Sequence, residues 1–358
     1  MFIEIKRKIR QGERINREEA VFLFNTDKIH ELGELADEVS RKFNSDRVYF
    51  IVNRHINPTN ICINRCRFCA FSRSKGEEGA FELSIDDIIN QLKEAQKTTG
   101  YITEVHIVSG LHPEWQFEYY LEMLSTIKRE FPLIGIKAFT AVEIDYFSRK
   151  SGLTIEQTLM KLKHAGVDIM PGGGAEIFNP EVRNRICPEK ISGEKWLEII
   201  KTAHKLGIKT NATMLYGHVE SYEDRVDHLI KLRELQDETG GFLAFIPLSY
   251  QPENTDIKVP YPSGIDDLKT IAVSRLVLDN IPHIKAYWIM LGEKLAQLAL
   301  LYGADCLEGT IIEEKIAHSA GARSKKGITI EELVHLIREA GKIPVERDSF
   351  YNIKKVFD

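Results

Sequence analysis

No run of this 358-residue chain is apolar for long enough to span a membrane. Nor is there a block or stripe of lysine and arginine. With a net charge of −5, the chain lacks the electrostatic footprint of a nucleic-acid binder. The segment from Met1 to Arg10 is charged throughout and has no secretory apolar core. Low-complexity linkers are missing, which predicts a single catalytic domain. Cysteine is scarce and odd in number, five in all, which argues for a reducing cytoplasm. What the chain does have is core-forming material. A composition of 43% hydrophobic and 28% charged residues is that of a soluble globular protein, and the length allows one large barrel or two ordinary domains.

Three of the five cysteines fall within eight residues, in Asn57-Pro-Thr-Asn-Ile-Cys62-Ile-Asn-Arg-Cys66-Arg-Phe68-Cys69. Three thiolates can hold three irons of a cubane cluster and leave the fourth iron open to a chelating substrate. All-cysteine iron–sulfur sites usually take four thiolates, so a missing fourth ligand points to reactivity. Two other readings stay open. A tetrahedral zinc site needs a fourth ligand, and His55, the near candidate, has a spacing that fits no common finger. Three inert buried thiols would pack as small hydrophobes. Cys187 and Cys306 stand alone and read as structural. The C-x3-C-x2-C spacing resembles the radical S-adenosylmethionine (SAM) superfamily. That resemblance implies a 4Fe–4S cluster on Cys62, Cys66 and Cys69, whose open iron binds SAM and whose electron releases a 5′-deoxyadenosyl radical.

From residue 47 onward short apolar runs alternate with amphipathic segments. Strands are predicted at 48–56, 104–109, 134–140, 168–171, 209–215, 242–248, 283–288 and 304–307. Helices lie between them. Ser84 with Asp87 three residues on reads as a capping box, and Gly100, Gly166, Gly207 and Gly303 end or follow helices. Eight strand–helix units predict an α/β fold, a (β/α)8 TIM-type barrel over residues 46–328. A helical cap precedes it at 1–45, and a helical extension at 329–358 packs on it. The alternative is a doubly wound open sheet, which needs no closure.

In a parallel barrel the reactive groups follow the strands. After the first comes the cysteine loop, where Pro58 and Asn60 disfavour helix. After the second, Ser109 and Gly110 are small enough for close backbone approach. After the fourth, Gly172, Gly173 and Gly174 let backbone lie against a ligand, followed by Ala175 and Glu176. Glu176 can accept from ribose hydroxyls or an ammonium, and Arg183 can grip a carboxylate with two prongs. On the fifth, Asn211 and Thr213 share an inward face if Ala212 and Met214 meet the helices. Met214 and Tyr216 are candidates to flank adenine. His218 reads either as a hydrogen-bonded support or as a substrate contact. Phe68, just before the last thiol, joins Ser109, Gly110, Gly173, Ala175, Glu176 and Arg183 as a candidate for SAM contact.

Further stretches narrow the resemblance: Asn57-Pro-Thr-Asn60, Cys66-Arg-Phe-Cys69-Ala-Phe71, Leu111-His-Pro113, Pro171-Gly-Gly-Gly-Ala-Glu-Ile177, Leu235-Gln-Asp-Glu-Thr-Gly-Gly-Phe242 and Gln251-Pro-Glu-Asn-Thr255. From about residue 45 to the C-terminus the chain resembles one radical SAM branch. That branch holds two enzyme families of the futalosine route to menaquinone and the deazaflavin-cofactor synthases. Within it, Lys137-Ala-Phe-Thr-Ala-Val-Glu-Ile144 and Asn211-Ala-Thr-Met-Leu-Tyr-Gly-His218 are similar to the aminofutalosine synthase family. The sister cyclase family would have Ser-Pro near 140–141 and Thr at 211.

The resemblance implies that the adenosyl radical adds to the alkene of 3-[(1-carboxyvinyl)oxy]benzoate and that the enol-ether carboxylate is lost. It also implies a low-potential electron donor such as flavodoxin or ferredoxin. Two substrate carboxylates require local cations, for which His55, Lys137, His218 and Lys285 are candidates. Two other classes remain: a radical SAM enzyme that abstracts hydrogen and cyclises, and a non-enzymatic iron–sulfur or zinc protein.

Overall fold

Parallel pairing of the apolar runs dictates the architecture. The computed structural model describes residues 1–311 and 314–357. Its strands are β1 (Arg47–Ile51), β2 (Asn53–Ile56), β3 (Glu104–Ile107), β4 (Gly135–Ala138), β5 (Ile169–Met170), β6 (Lys209–Tyr216), β7 (Phe242–Ser249), β8 (His283–Ile284), β9 (Cys306–Gly309), β10 (Ile343–Arg347) and β11 (Ile353–Val356). One sheet runs β2-β3-β4-β5-β6-β7-β8, and a second runs β11-β10-β1-β9.

The two sheets form one ring. Only Val52 separates β1 from β2, and β9 lies parallel to β1 with Tyr49 opposite Cys306. The end of β8 meets β9 through a Lys285–Cys306 bridge, where Asp305 N–H donates to Ile284 O (3.0 Å) and Ala286 N–H to Cys306 O (2.8 Å). Closure decides for the barrel and against the open sheet.

Helices fill the crossovers, and hydroxyl residues start many of them. Ser84 and Asp87 form the anticipated capping box of the helix Ile85–Thr99, and Thr140 with Glu143 does the same for Ala141–Ser151. The N-terminal helices Arg17–Asn25 and Ile29–Asn44 pack on Tyr222–Thr239 and Gly264–Val277, on the flank of the barrel. Phe24 stacks on Tyr222 there at 4.9 Å. No described helix is long and apolar enough to cross a membrane.

Two departures from the sequence reading matter. The segment 283–288 is strand only at its start, and Trp288–Leu291 turns helical. Beyond the anticipated helix Ile330–Glu339, the chain adds β10 parallel to β1 and β11 antiparallel to β10. Pro344 and the charged pair Glu346 and Arg347 hide that strand from a pattern search. Both charges turn out to be buried.

Register sets the barrel interior. His55 on β2 pairs with His106 on β3, which pairs with Lys137 on β4. Directly paired residues of parallel strands point to the same side, so these three share one layer. Two residues earlier, Asn53 and Glu104 share the layer below.

Candidate active site

A cavity of about 300 Å³ opens at the C-terminal ends of the strands, with Cys62, Phe68 and Cys69 on its rim. The loop that carries them is pinned by side chains instead of a ladder. Asn57 donates to Val108 O (2.9 Å), Thr59 to Phe81 O (2.6 Å) and Asn60 to Gly79 O (2.9 Å). All five cysteines are free. Burial raises the Cys62 thiol and pushes Cys66 up to about 12, against the pull of Lys190. As bare thiols they stay protonated at neutral pH, and a metal centre would replace those protons with positive charge.

The spacing also discriminates. Among the described residues, the His/Cys/Asp/Glu trio with all ligand atoms within 4.8 Å of one another is His55, His106 and Glu308, and the thiols form no such trio. A single tetrahedral zinc, at about 2.3 Å per Zn–S bond, needs its sulfurs under 4 Å apart. A wider cluster suits these donors, and the zinc knuckle does not. His55 turns to His106, away from any role as fourth ligand to the thiols.

Beside the thiols lie two turns. A Cβ on Gly110 would stand 2.3 Å from Ile61 O, so only glycine lets this backbone pack on the cysteine loop. The Ser109 N–H, a candidate for ligand contact, donates instead to Glu143 Oε1 (3.0 Å). Glu143 also accepts from Thr140 N–H (2.7 Å) and Thr140 Oγ1 (2.9 Å). Burial outweighs these donors and pushes its carboxyl up to about 7.

In the glycine turn, Gly172 has φ +83° and a Cβ there would meet Asn211 O at 2.2 Å. Gly173 and Gly174 line the cavity. Glu176, itself at φ +47°, holds Lys190 Nζ at 2.5 Å, and Lys190 lies 4.9 Å from the Phe68 ring centroid. Burial works against the Lys190 charge, but Glu176 and the nearby thiols hold its pKa up. Arg183 is a correction. Its buried guanidinium donates to Ala175 O (2.5 Å), Ile177 O (3.1 Å) and Ile191 O (2.5 Å), behind the turn. Arg183 and Ala175 therefore brace the turn, and beside the thiols it is Lys190 that reaches the cavity.

On β6, Thr213 and Leu215 line the cavity, so the inward face is the one alternation predicts. The Thr213 hydroxyl donates to Gly172 O (2.9 Å). Asn211 lies one pleat deeper on that face, nearly buried and outside the cavity wall. Met214 and Tyr216 are corrections, because they lie on the opposite face. Met214 is fully buried in the core, and Tyr216 donates to Asp267 Oδ1 (2.6 Å) with the Arg225 guanidinium 4.9 Å from its ring. His218 is a correction as well. Its Nε2 lies 3.1 Å from Leu215 O and its Nδ1 2.9 Å from Glu220 Oε2, in a network that continues to Arg225 and Asp266.

The floor of the cavity holds three of the cations anticipated from the sequence, His55, Lys137 and Lys285, together with acids and a second histidine that were not. Lys137 Nζ is 2.6 Å from Glu104 Oε1 and 3.1 Å from Glu308 Oε1, and Lys285 pairs with Glu308 Oε2. His55 Nε2 and His106 Nδ1 lie 3.3 Å apart. Burial brings His55 down to about 4 and His106 well below its ordinary value, so both imidazoles are neutral. Glu104, His106, Glu143, Lys190 and Glu308 all escape the motif search. Two signals point to some of them: Thr140-x-x-Glu143 is a capping-box pattern, and Glu104 with His106 puts polar groups two apart in a buried strand.

The chain matches the Radical SAM superfamily model over residues 56–232 and the CofH/MqnC C-terminal region over 239–358. It is 45% identical to the aminodeoxyfutalosine synthase of Thermus thermophilus, covering 99% of this chain and 96% of that one. The Streptomyces coelicolor enzyme of the same name is 44% identical, covering 99% and 94%. The 5-amino-6-(D-ribitylamino)uracil–L-tyrosine 4-hydroxyphenyl transferase of Methanococcoides burtonii is 43% identical, covering 97% and 98%. Among solved structures, methylornithine synthase (PylB) superposes with a TM-score of 0.76 at 18% identity, covering 95% of this chain and 97% of that one, a likeness of fold alone.

Proposed function

The chain belongs to the radical SAM superfamily, and from that premise we propose that it carries out the aminodeoxyfutalosine synthase reaction of menaquinone biosynthesis. It is an enzyme of the radical SAM transferase kind, using a 4Fe–4S cluster and SAM. In the proposed reaction the 5′-deoxyadenosyl group is joined to the terminal alkene carbon of 3-[(1-carboxyvinyl)oxy]benzoate and the enol-ether carboxylate is lost. When bound, the cluster and SAM supply the adenosyl radical.

The residues of the chain do the rest. Cys62, Cys66 and Cys69 hold the cluster. Lys190 and Glu176, already paired at 2.5 Å, exchange partners with the carboxylate and ammonium of SAM. Gly173 and Gly174 let the cofactor approach the backbone. Thr213 positions that turn through Gly172 O. Leu111, Val142, Ile246 and Leu248 wall off water and stray donors. A low-potential flavodoxin or ferredoxin delivers the electron.

The observation that carries this reading is an ammonium at each end of the cavity, Lys190 beside the thiols and Lys137 at the floor, with apolar side chains such as Leu111, Val142, Ile246 and Leu248 between. One suits the carboxylate of SAM and the other a carboxylate of the substrate. The 43% likeness to the uracil–tyrosine transferases favours a second reading, with an amino-acid substrate. Such a substrate needs a carboxylate for its ammonium. Yet Glu308 is held by two lysines, and Glu314 accepts the N–H groups of Ile316 and Ala317 at 2.9 Å.

The test is anaerobic incubation with SAM, dithionite and the enol ether, read by mass spectrometry. A product in which adenosine carbon is covalently joined, with methionine released, supports the synthase. Free 5′-deoxyadenosine with a cyclised product indicates a hydrogen-abstracting enzyme. Turnover only with tyrosine and 5-amino-6-(D-ribitylamino)uracil overturns the reading in favour of the transferase.

A further inference from the structure

We propose that His55, His106 and Lys137 at the floor of the cavity form a receptor for an aryl carboxylate. The choice of an aryl acid rests on the substrate reading above, whereas the preference for an anion rests on the floor itself. The three side chains come from adjacent strands in direct register, so the barrel aims them into one layer. Beneath and beside them, Lys137 and Lys285 face Glu104 and Glu308, and the buried Arg347, packed on Tyr351 and Cys306, adds a third cation against the two carboxylates. The charge of Arg347 reaches both acids. Of the other acids on the wall, Glu176 is paired with Lys190, burial pushes Glu143 up to about 7, and Glu314 is matched by His318 at 3.4 Å, whose pKa is raised to about 9 by that carboxylate. One positive charge is left over, in a place where water does not screen it.

The imidazoles add a directed donor. One proton lies between His55 Nε2 and His106 Nδ1, so whichever ring supplies it, one N–H and one lone pair are left on the far nitrogens. His106 Nε2 is buried without a partner. An anion selects the arrangement in which His55 donates to His106 and His106 Nε2 carries the hydrogen. Tyr287 and Met290 on the same wall offer a surface for a ring. A divalent cation is the obvious rival, since His55, His106 and Glu308 bring ligand atoms within 4.8 Å of one another. But both Glu308 oxygens are held by ammonium groups, so a metal ion would sit against two positive charges.

The experiment is anaerobic calorimetry on the reconstituted holoenzyme, with benzoate and neutral benzamide as probes. Benzoate is expected to bind at least about tenfold more tightly than benzamide. His106→Phe keeps the ring volume and removes the N–H, so it should erase most of that preference while iron content and SAM affinity hold. His55→Asn serves as the second variant, and the double variant Lys137→Met/Glu104→Gln removes the ammonium beside the imidazoles together with its carboxylate, which keeps the net charge of the floor and so tests contact with Lys137 itself. Each should weaken benzoate more than benzamide. Equal binding of the two probes overturns the proposal. So does benzoate binding indifferent to all three changes, or a divalent ion beyond the cluster that is lost with His106→Phe. If benzoate binding depends on His106 but the enol ether is not turned over, the receptor stands and the synthase reading fails. The converse result sinks the receptor alone.

Discussion

At the rim of the barrel, Cys62 and Cys69 face a cavity, with Cys66 of the same short segment buried behind them, beside a single ion pair, Lys190 with Glu176. At the floor, full charges from β3, β4, β9 and the end of β8 are locked against one another out of contact with water. The rim is electrostatically unfinished. Burial keeps Cys62 and Cys66 protonated, and a bound metal centre would complete them. The floor is already complete to within one charge. The contrast separates two ways of using buried polar groups. Rim groups are anchored locally, by their own loop and turn, and are held in readiness for a cofactor. Floor groups are part of the fold, and removing one exposes the cost of the others.

The contrast breaks first on the largest effect. Cys62→Ala, Cys66→Ala or Cys69→Ala should each take iron from about four per chain to near none and abolish reductive SAM cleavage. The unfolding midpoint of the metal-free protein should shift little. Cys187→Ala and Cys306→Ala should keep both iron and cleavage. Stoichiometric zinc without iron after anaerobic reconstitution would remove the rim from cofactor chemistry altogether.

Lys137→Met should do the reverse. It leaves Glu104 and Glu308 underpaired in a buried layer, where breaking one partner of an ion pair costs about 3–5 kcal/mol. Urea unfolding of the metal-free protein measures this, and adding Glu104→Gln should restore part of the loss. A cost below about 1 kcal/mol would mean that the floor charges are screened like surface pairs and that the two regions do not differ.

The same contrast explains what was legible in the sequence. The cysteine segment is contiguous, so its spacing survives as a motif. Ser84 with Asp87 is equally local, and the structure shows that cap. The floor draws on residues from 53 to 347, and the cations among them that the sequence offers, His55, Lys137 and Lys285, come with no sign of the acids they meet. His106 becomes a neighbour of His55 and Lys137 only when β2, β3 and β4 fall into register. Alternation correctly predicts the inward face of Thr213, but it cannot tell which polar atom a neighbouring backbone will claim. Arg183 and His218 are consumed by carbonyls of their own turns, and Tyr216 by Asp267. Closure of the barrel was readable from eight units. The strand β10 was not, because its Glu346 and Arg347 look like surface and are buried by the fold they complete.

A smaller effect sharpens the rim. Lys190→Met and Glu176→Gln should each weaken SAM binding by about 10- to 100-fold, or roughly 1.5–3 kcal/mol for a charge-assisted bond, without loss of iron. Arg183→Ala should instead lower stability, since its guanidinium holds the carbonyls of Ala175, Ile177 and Ile191. If SAM affinity is unchanged in both Lys190→Met and Glu176→Gln, the pair serves the glycine turn and not the cofactor.

Glu143 lies where the two regimes meet. It borders the rim cavity, yet it caps the helix Ala141–Ser151 and holds the Ser109 turn. Its three donors favour the carboxylate, and its complete burial favours the acid. Burial prevails, with a pKa raised from 4.5 to about 7. The sign of the pH effect follows. Below pH 4.5 the group is protonated both folded and unfolded, and it contributes nothing to the balance. As pH rises from 4.5 to about 7 the unfolded chain loses this proton and the folded chain keeps it, so stability falls. Above about 7 the penalty is complete, on the order of 3 kcal/mol at 1.36 kcal/mol per unit. Glu143→Gln removes the titration. It also turns one oxygen into an amide that cannot accept from both Ser109 and Thr140, which costs about 1 kcal/mol at every pH. The measurement is urea unfolding of both proteins at pH 5, 6, 7 and 8. Titrations elsewhere cancel in the difference, so the variant should start slightly less stable at pH 5 and gain on the parent up to pH 7. A difference that stays flat across the range would show that the three donors win and Glu143 is ionised. The rim would then hold a permanent carboxylate beside the thiols.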